Sequence, residues 1–262
     1  MTDAPLAGVG VLVTRPAQQS AGLIAAIEAA GGEGIAFPVM EIVPRSPQDI
    51  EADIATLADP DIVIYVSSNA VEHGLAWTQD AAVAVVGPAT ATAIEAAARI
   101  VDIRPADGYD SEHLLAEPAL NDVRGKTVRI VRGNSGRELL ADTLRERGAT
   151  VDYLAVYGRR MPPHPAEELA ALAEHWQSGD IDVTTVMSVE SLQNLIALVP
   201  DSCSRALAET PLVTPAARVL KEAQEHLPGC PVHLATGPGA DEMVSAITAI
   251  PALGQHNSGQ NS

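Results

Sequence analysis

Gly8-Val-Gly-Val-Leu-Val-Thr-Arg15 and Gly125-Lys-Thr-Val-Arg-Ile-Val-Arg132 agree in length, in the opening glycine, in the apolar run and in the closing arginine. An Ala/Leu-rich stretch of helical period follows each, Ser20 to Ala30 in one case and Arg137 to Arg147 in the other, and each stretch ends at a glycine, Gly31 or Gly148. A short apolar β-rich run leading into a helical run is βαβ patterning. Repeated along the chain, it implies an α/β protein with parallel sheets. The matched stretches are two copies of one unit, A.

Three further units recur. Asp61-Ile-Val-Ile-Tyr-Val-Ser67 resembles Asp182-Val-Thr-Thr-Val-Met-Ser188, a buried strand ending in a hydroxyl residue that opens a helix. Val85-Val-Gly-Pro88 resembles Leu212-Val-Thr-Pro215, a short strand, a turn with proline and then a helix. Gly108 with Ser111-Glu112 resembles Gly237 with Ala240-Asp241, a capped helix start in each case. With these three labelled B, C and D in turn, the order along the chain is A, then B-C-D-A, then B-C-D. Two complete sets require the first A to join the last B-C-D. The sequence therefore predicts a discontinuous first domain, residues 1–36 and 166–250, and a second domain, residues 46–152. Residues 37–45 and 153–165 are then connectors; being β-rich, they are expected to pair as a two-stranded ladder with a cleft between the domains. Residues 251–262 read as a disordered polar tail.

Composition narrows the function. With 262 residues, 47% of them hydrophobic, the chain can bury two cores. It has no apolar run long enough for a membrane span and no signal-peptide pattern near its N-terminus, so the expected location is the cytoplasm. A net charge of −18 argues against nucleic acid and anionic membrane as partners. Cys203 and Cys230 are the only cysteines, and neither has a Cys or His pattern at zinc spacing. Two reduced thiols and no metal are expected. A polyanionic ligand would need a local cleft that supplies arginines and backbone N–H groups.

Val13-Thr-Arg-Pro16, Val66-Ser-Ser-Asn-Ala-Val71, Val86-Gly-Pro-Ala-Thr-Ala91, Asp110-Ser-Glu112, Arg132-Gly-Asn-Ser-Gly-Arg137 and Val156-Tyr157, in this order over nearly the whole chain, resemble the uroporphyrinogen-III synthases. The resemblance implies two flavodoxin-like domains joined by a two-stranded β-ladder, an active site in the cleft and no cofactor. It also implies a reaction: hydroxymethylbilane loses its terminal hydroxyl as water, the far pyrrole ring attacks through its substituted carbon, and a spiro intermediate recloses with that ring inverted. Such an enzyme chiefly controls geometry. The preceding enzyme, hydroxymethylbilane synthase, is a candidate for transient contact, and a monomer is expected because a cleft must open and close.

The resemblance makes Tyr157 the candidate acid for loss of the hydroxyl; the alternative is a tyrosine packing its ring on a domain face. Gly87 and Thr90 follow a strand and open a helix whose free N–H groups suit a carboxylate, although Thr90 also reads as an ordinary first-turn residue. Ser67, Ser68 and Ser188 lie at strand-to-helix junctions, as caps whose backbone lines the cleft. Ser111 opens the helix after Asp110, and Thr214 stands where the family's usual Gly-Pro-Thr is replaced by Thr214-Pro-Ala216. Arg15 and Arg132 lie just past the carboxyl ends of parallel strands, where open α/β sheets bind ligands, and a structural ion pair is the alternative for each. Arg137 at a helix start would be explained by a nearby anion. A two-domain binding protein without catalysis is the rival function.

Overall fold

The computed structural model describes residues 4–78, 81–108, 110–136, 138–251 and 253. Tyr109 and Arg137 lie outside them, as does the expected tail apart from residues 251 and 253. In chain order the strands and α-helices are β1 (Gly10–Val13), α1 (Ala17–Ala29), β2 (Glu33–Ala36), β3 (Glu41–Pro44), α2 (Pro47–Ile54), β4 (Ile62–Tyr65), α3 (Ser68–Gly74), β5 (Ala82–Val85), α4 (Pro88–Ala96), α5 (Ser111–Leu115), β6 (Thr127–Gly133), α6 (Leu139–Glu146), β7 (Thr150–Arg160), α7 (Ala166–Ser178), β8 (Val183–Thr185), α8 (Val189–Leu198), α9 (Ser204–Glu209), β9 (Leu212–Thr214), α10 (Arg218–His226), β10 (Val232–Leu234) and α11 (Ala240–Thr248). They form two compact units, residues 1–41 with 160–262 and residues 42–159.

The first unit holds a five-stranded sheet in the order β10-β9-β8-β1-β2, with every pair parallel. β1, β8 and β9 are buried along their whole length, which is why they read as unbroken apolar or threonine runs rather than as alternating ones. One face packs Leu12 and Leu212 against α7, α8 and α10, and the other packs Val11, Val13 and Val213 against α1 and α11. α7 ends where Gly179 takes φ +79, a left-handed conformation that suits glycine.

The second unit holds a sheet in the order β3-β7-β6-β4-β5, with β7-β6, β6-β4 and β4-β5 parallel. The β-rich stretches expected to pair as a two-stranded ladder do lie side by side, as β3 and β7, but at the edge of this five-stranded sheet rather than as a ladder of their own. Leu154, Val156 and Tyr157 of β7 are buried in one core with Val131 of β6 and Val63 and Tyr65 of β4, so the segment has its burial only as a sheet strand. Beyond β5 the repeat's next strand is reduced to a bridge between Ala84 and Ile103.

The repeat is visible in hydrogen bonds. Asp182 Oδ2 accepts from the Gly10 N–H at 2.8 Å, and Asp61 Oδ2 accepts from the Thr127 N–H at 2.7 Å. In return the Asp182 and Asp61 N–H groups donate to the carbonyls of Gly10 and Thr127, each at 2.9 Å. Gly8 and Gly125 have φ of +75 and +74, and Gly31 and Gly148 have +89 and +88, so these glycines answer the same backbone need twice. α10 begins at Arg218, after the expected turn with Pro215, which Thr214 Oγ1 closes by accepting from the Ala216 N–H. One expectation fails at a helix start. α11 is capped by Gly239 without a side-chain bond.

Candidate active site at the strand ends

In the second unit the chain passes from β6 through α6 to β7 on one side, and from β4 through α3 to β5 on the other. The order reverses between β6 and β4, and the crevice beyond their carboxyl ends is the ligand position of open parallel sheets. Ser67 and Tyr157 meet there. Ser67 is the N-cap of α3, accepting from the Ala70 N–H at 3.2 Å, and its Oγ lies 3.2 Å from the Tyr157 hydroxyl. Arg159 Nη2 donates to that hydroxyl at 3.4 Å and its guanidinium lies 5.8 Å from the ring centre. A guanidinium only donates, so the phenol oxygen accepts at this contact and its O–H points elsewhere.

Tyr157 does not stand open at the crevice: its side chain is 0% exposed. The cause is local. The register of β6 against β7 shifts between Arg132 and Gly133, a bulge that sets Gly133 opposite Tyr157. A Cβ on Gly133 would come within 2.7 Å of the ring, so glycine is what lets the ring lie on β6.

Gly87 caps α4 with Pro88 behind it, and with Thr92, Glu95, Arg104 and Asp107 it lines a cavity of about 590 Å³. Arg104 pairs with Glu95 at 3.5 Å. Thr90 is buried in the first turn of α4, the helix that lines this cavity, but is not on the cavity's wall. Ser111 opens α5, a five-residue helix capped by Asp110, whose Oδ1 accepts from the His113 N–H. Ser68 is exposed and follows the cap rather than forming it.

Arg132 lies across the ring of Tyr153 at 4.5 Å and donates from Nη1 to Glu138 Oε1 at 3.1 Å. The Tyr153 hydroxyl donates to the other Glu138 oxygen. That bond and Arg132 hold the Glu138 carboxyl below its ordinary range, whereas burial and then Glu138 push the Tyr153 phenol up. Glu138, the acid just ahead of a helical run, carries the one sequence signal that could have pointed to this pair.

In the first unit the order reverses between β1 and β8. Thr14 Oγ1 donates to the Thr185 carbonyl at 2.6 Å, and Thr185 Oγ1 donates to the Leu12 carbonyl at 3.0 Å, tying the two strands at this point. Ser188 caps α8 as Ser67 caps α3, accepting from the Ser191 N–H at 3.1 Å. Thr214 is fully buried in its turn. Arg15 Nη2 donates to the Pro238 carbonyl at 2.6 Å, and burial lowers its pKa. Of the two cysteines, Cys203 is buried, and burial pushes the Cys230 thiol up to about 11. Among the described residues no helix is long and apolar enough to cross a membrane.

These residues belong to a known kind of chain. The family model HEM4, uroporphyrinogen-III synthase HemD, matches residues 21–245. The uroporphyrinogen-III synthase of Salmonella typhimurium is 34% identical over 202 residues, covering 73% of this chain and 80% of its own. That of Escherichia coli is 31% identical, covering 73% and 80%. Among solved structures, a mutant uroporphyrinogen III synthase of Thermus thermophilus has a TM-score of 0.59 at 20% identity, covering 90% of this chain and 96% of its own. The synthetase of Helicobacter pylori 26695 has the same score at 12% identity, covering 90% and 97%. Those two likenesses speak to the fold alone, and the family model with the sequence relatives settles membership: the chain belongs to the uroporphyrinogen-III synthase family.

Proposed function

We propose that this protein closes hydroxymethylbilane into uroporphyrinogen III, a cyclising hydro-lyase reaction that inverts the terminal pyrrole ring through a spiro intermediate. The observation that carries the reading is the family match over residues 21–245, which favours it over a binding protein without catalysis. We read each unit as a flavodoxin-like domain, since the first sheet, renumbered within its unit, has the order 2-1-3-4-5. On this reading the domains are built on residues 1–36 with 166–250 and on residues 46–152, the second being extended by β3 and the rest of β7, and the substrate is held at the carboxyl ends of their strands. The cytoplasm as location, a monomeric state and a transient contact with hydroxymethylbilane synthase belong to the same proposal.

In the mechanism, Tyr157 gives the proton that leaves with the substrate's hydroxyl as water. A wholly buried phenol donates only to a group brought to its oxygen, so binding must part Tyr157 from Ser67 or Arg159. The substrate's carboxylates are received by free backbone N–H groups at the helix starts marked by Ser67 and Ser68, by Gly87 with Thr90, by Ser111 and by Ser188, with Thr214 shaping the corresponding turn of the first unit. At a protein charge of −18 the long-range repulsion of an octa-anion is screened within roughly 8 Å at cellular ionic strength, so these local donors decide binding. The test is to mix the protein with hydroxymethylbilane and separate the isomers. The III isomer is expected; the I isomer in the proportion found in buffer alone would sink the proposal.

A further inference from the structure

Arg15 and Arg132 close the same repeat unit and are held in different ways. Arg132 is neutralised from within its own unit by Glu138, which Tyr153 holds in place. Among the described residues Arg15 has no acidic partner within ion-pair distance; one nitrogen donates to the Pro238 carbonyl and its buried Nε meets no acceptor. The chain explains the difference. After β6 a loop intervenes, and Glu138 closes it at the start of α6, whereas after β1 helix α1 begins at Ala17 with no acid in its first turn.

A half-buried guanidinium without a counter-ion is costly unless something else uses it. Arg15 also stands past the carboxyl end of β1, beside β8, where the strand order of the first sheet reverses. Its five N–H donors form a planar fork suited to a carboxylate, and the bond to Pro238 occupies only one of them.

We propose that Arg15 is the arginine that takes a substrate carboxylate, and that Glu138 has withdrawn Arg132 from the same task. The proposal rests on the function given above. It also makes Glu138 a residue that sets where the substrate's charge is read, because the loop that carries it has no counterpart after β1.

Steady-state kinetics on hydroxymethylbilane, with thermal unfolding of each variant, tests it. Arg15→Gln is expected to raise KM about tenfold or more, with a smaller change in kcat and no loss of melting temperature. Arg132→Gln is expected to lower the melting temperature and to raise KM less than Arg15→Gln does. A KM unchanged in Arg15→Gln, or raised at least as much by Arg132→Gln, would overturn the proposal. Should Arg15→Gln not fold, Arg15→Lys decides: a point charge without the fork is expected to raise KM about threefold or more, and an unchanged KM overturns the idea. Wild-type protein that gives no III isomer overturns the functional reading and this proposal with it. An active wild type with an unaffected Arg15→Gln variant overturns this proposal alone.

Discussion

The two copies of the repeat agree where they hold the backbone together and part company where their strands end. Asp61 and Asp182 make the same pair of bonds to Thr127 and Gly10, and Ser67 and Ser188 cap equivalent helices in the same extended conformation. At the carboxyl ends little is shared. β2 stops at Ala36, with Pro38 unable to donate to a ladder, while β7 runs on through Tyr157 to Arg160. Gly87-Pro88 opens α4 directly, while Thr214-Pro215 closes a turn before α10. The residues that tie the backbone are alike in the two copies, whereas the length of β7 against β2 and the turn before α10 set them apart.

The largest effect should come from breaking the shared part. Gly10 and Thr127 occupy one position of the repeat, yet a Cβ on Gly10 would lie 1.7 Å from the Asp180 carbonyl oxygen. Gly10→Ala should therefore destabilise by about 3 kcal/mol or more, an overpacking that must move backbone, whereas Thr127→Gly should cost about 1 kcal/mol at most. Urea unfolding of the pair checks this, and equal losses would mean that the two positions are not packed as described.

Next comes the bulge. Gly133→Ala pushes a methyl group against the Tyr157 ring and should cost about 1–3 kcal/mol while lowering turnover, because the ring and its hydroxyl shift together. A melting curve with a parallel assay reads both. Lost stability with full turnover would separate the ring's packing from the reaction.

The caps should show a smaller effect. Ser67→Ala and Ser188→Ala should each cost about 1 kcal/mol as lost N-caps, but only Ser67 also touches the Tyr157 hydroxyl. A greater fall in kcat for Ser67→Ala is expected from single-turnover measurements. Equal falls would mean that the contact with Tyr157 gives Ser67 no special part in turnover.

How much of this stood in the sequence depends on the range of the interaction. The paired glycines, the aspartates that open each B strand and the serines that close it are local signals, and they located strands, turns and caps. Ser68 reads like Ser67 because either hydroxyl suits a junction, and only the φ and ψ of residue 67 separate them. The burial of Tyr157 depends on Gly133 and on a register shift. The neutralisation of Arg132 depends on Tyr153 as well as on Glu138. Both are meetings between different strands and loops that no spacing rule encodes.

The smallest effect concerns pH. The Glu138 carboxyl is held below its ordinary range when folded, so its contribution to stability is present above that range and is lost as pH falls through the lowered value. Glu138→Gln should flatten the acid side of the stability profile below about pH 4. Arg15→Gln should leave that side unchanged, because Arg15 pairs with no acid among the described residues. Matching changes in both variants would erase the distinction between the two arginines.

On the proposed reading the chemistry lies at the strand ends of the second unit, on Tyr157. Its most direct test is the turnover of Tyr157→Phe on hydroxymethylbilane beside its melting temperature. A several-fold drop in kcat with little change in KM or stability is predicted, since an acid that protonates a leaving group acts in the transition state. Unchanged kcat and KM in a folded variant would contradict it and return Tyr157 to packing.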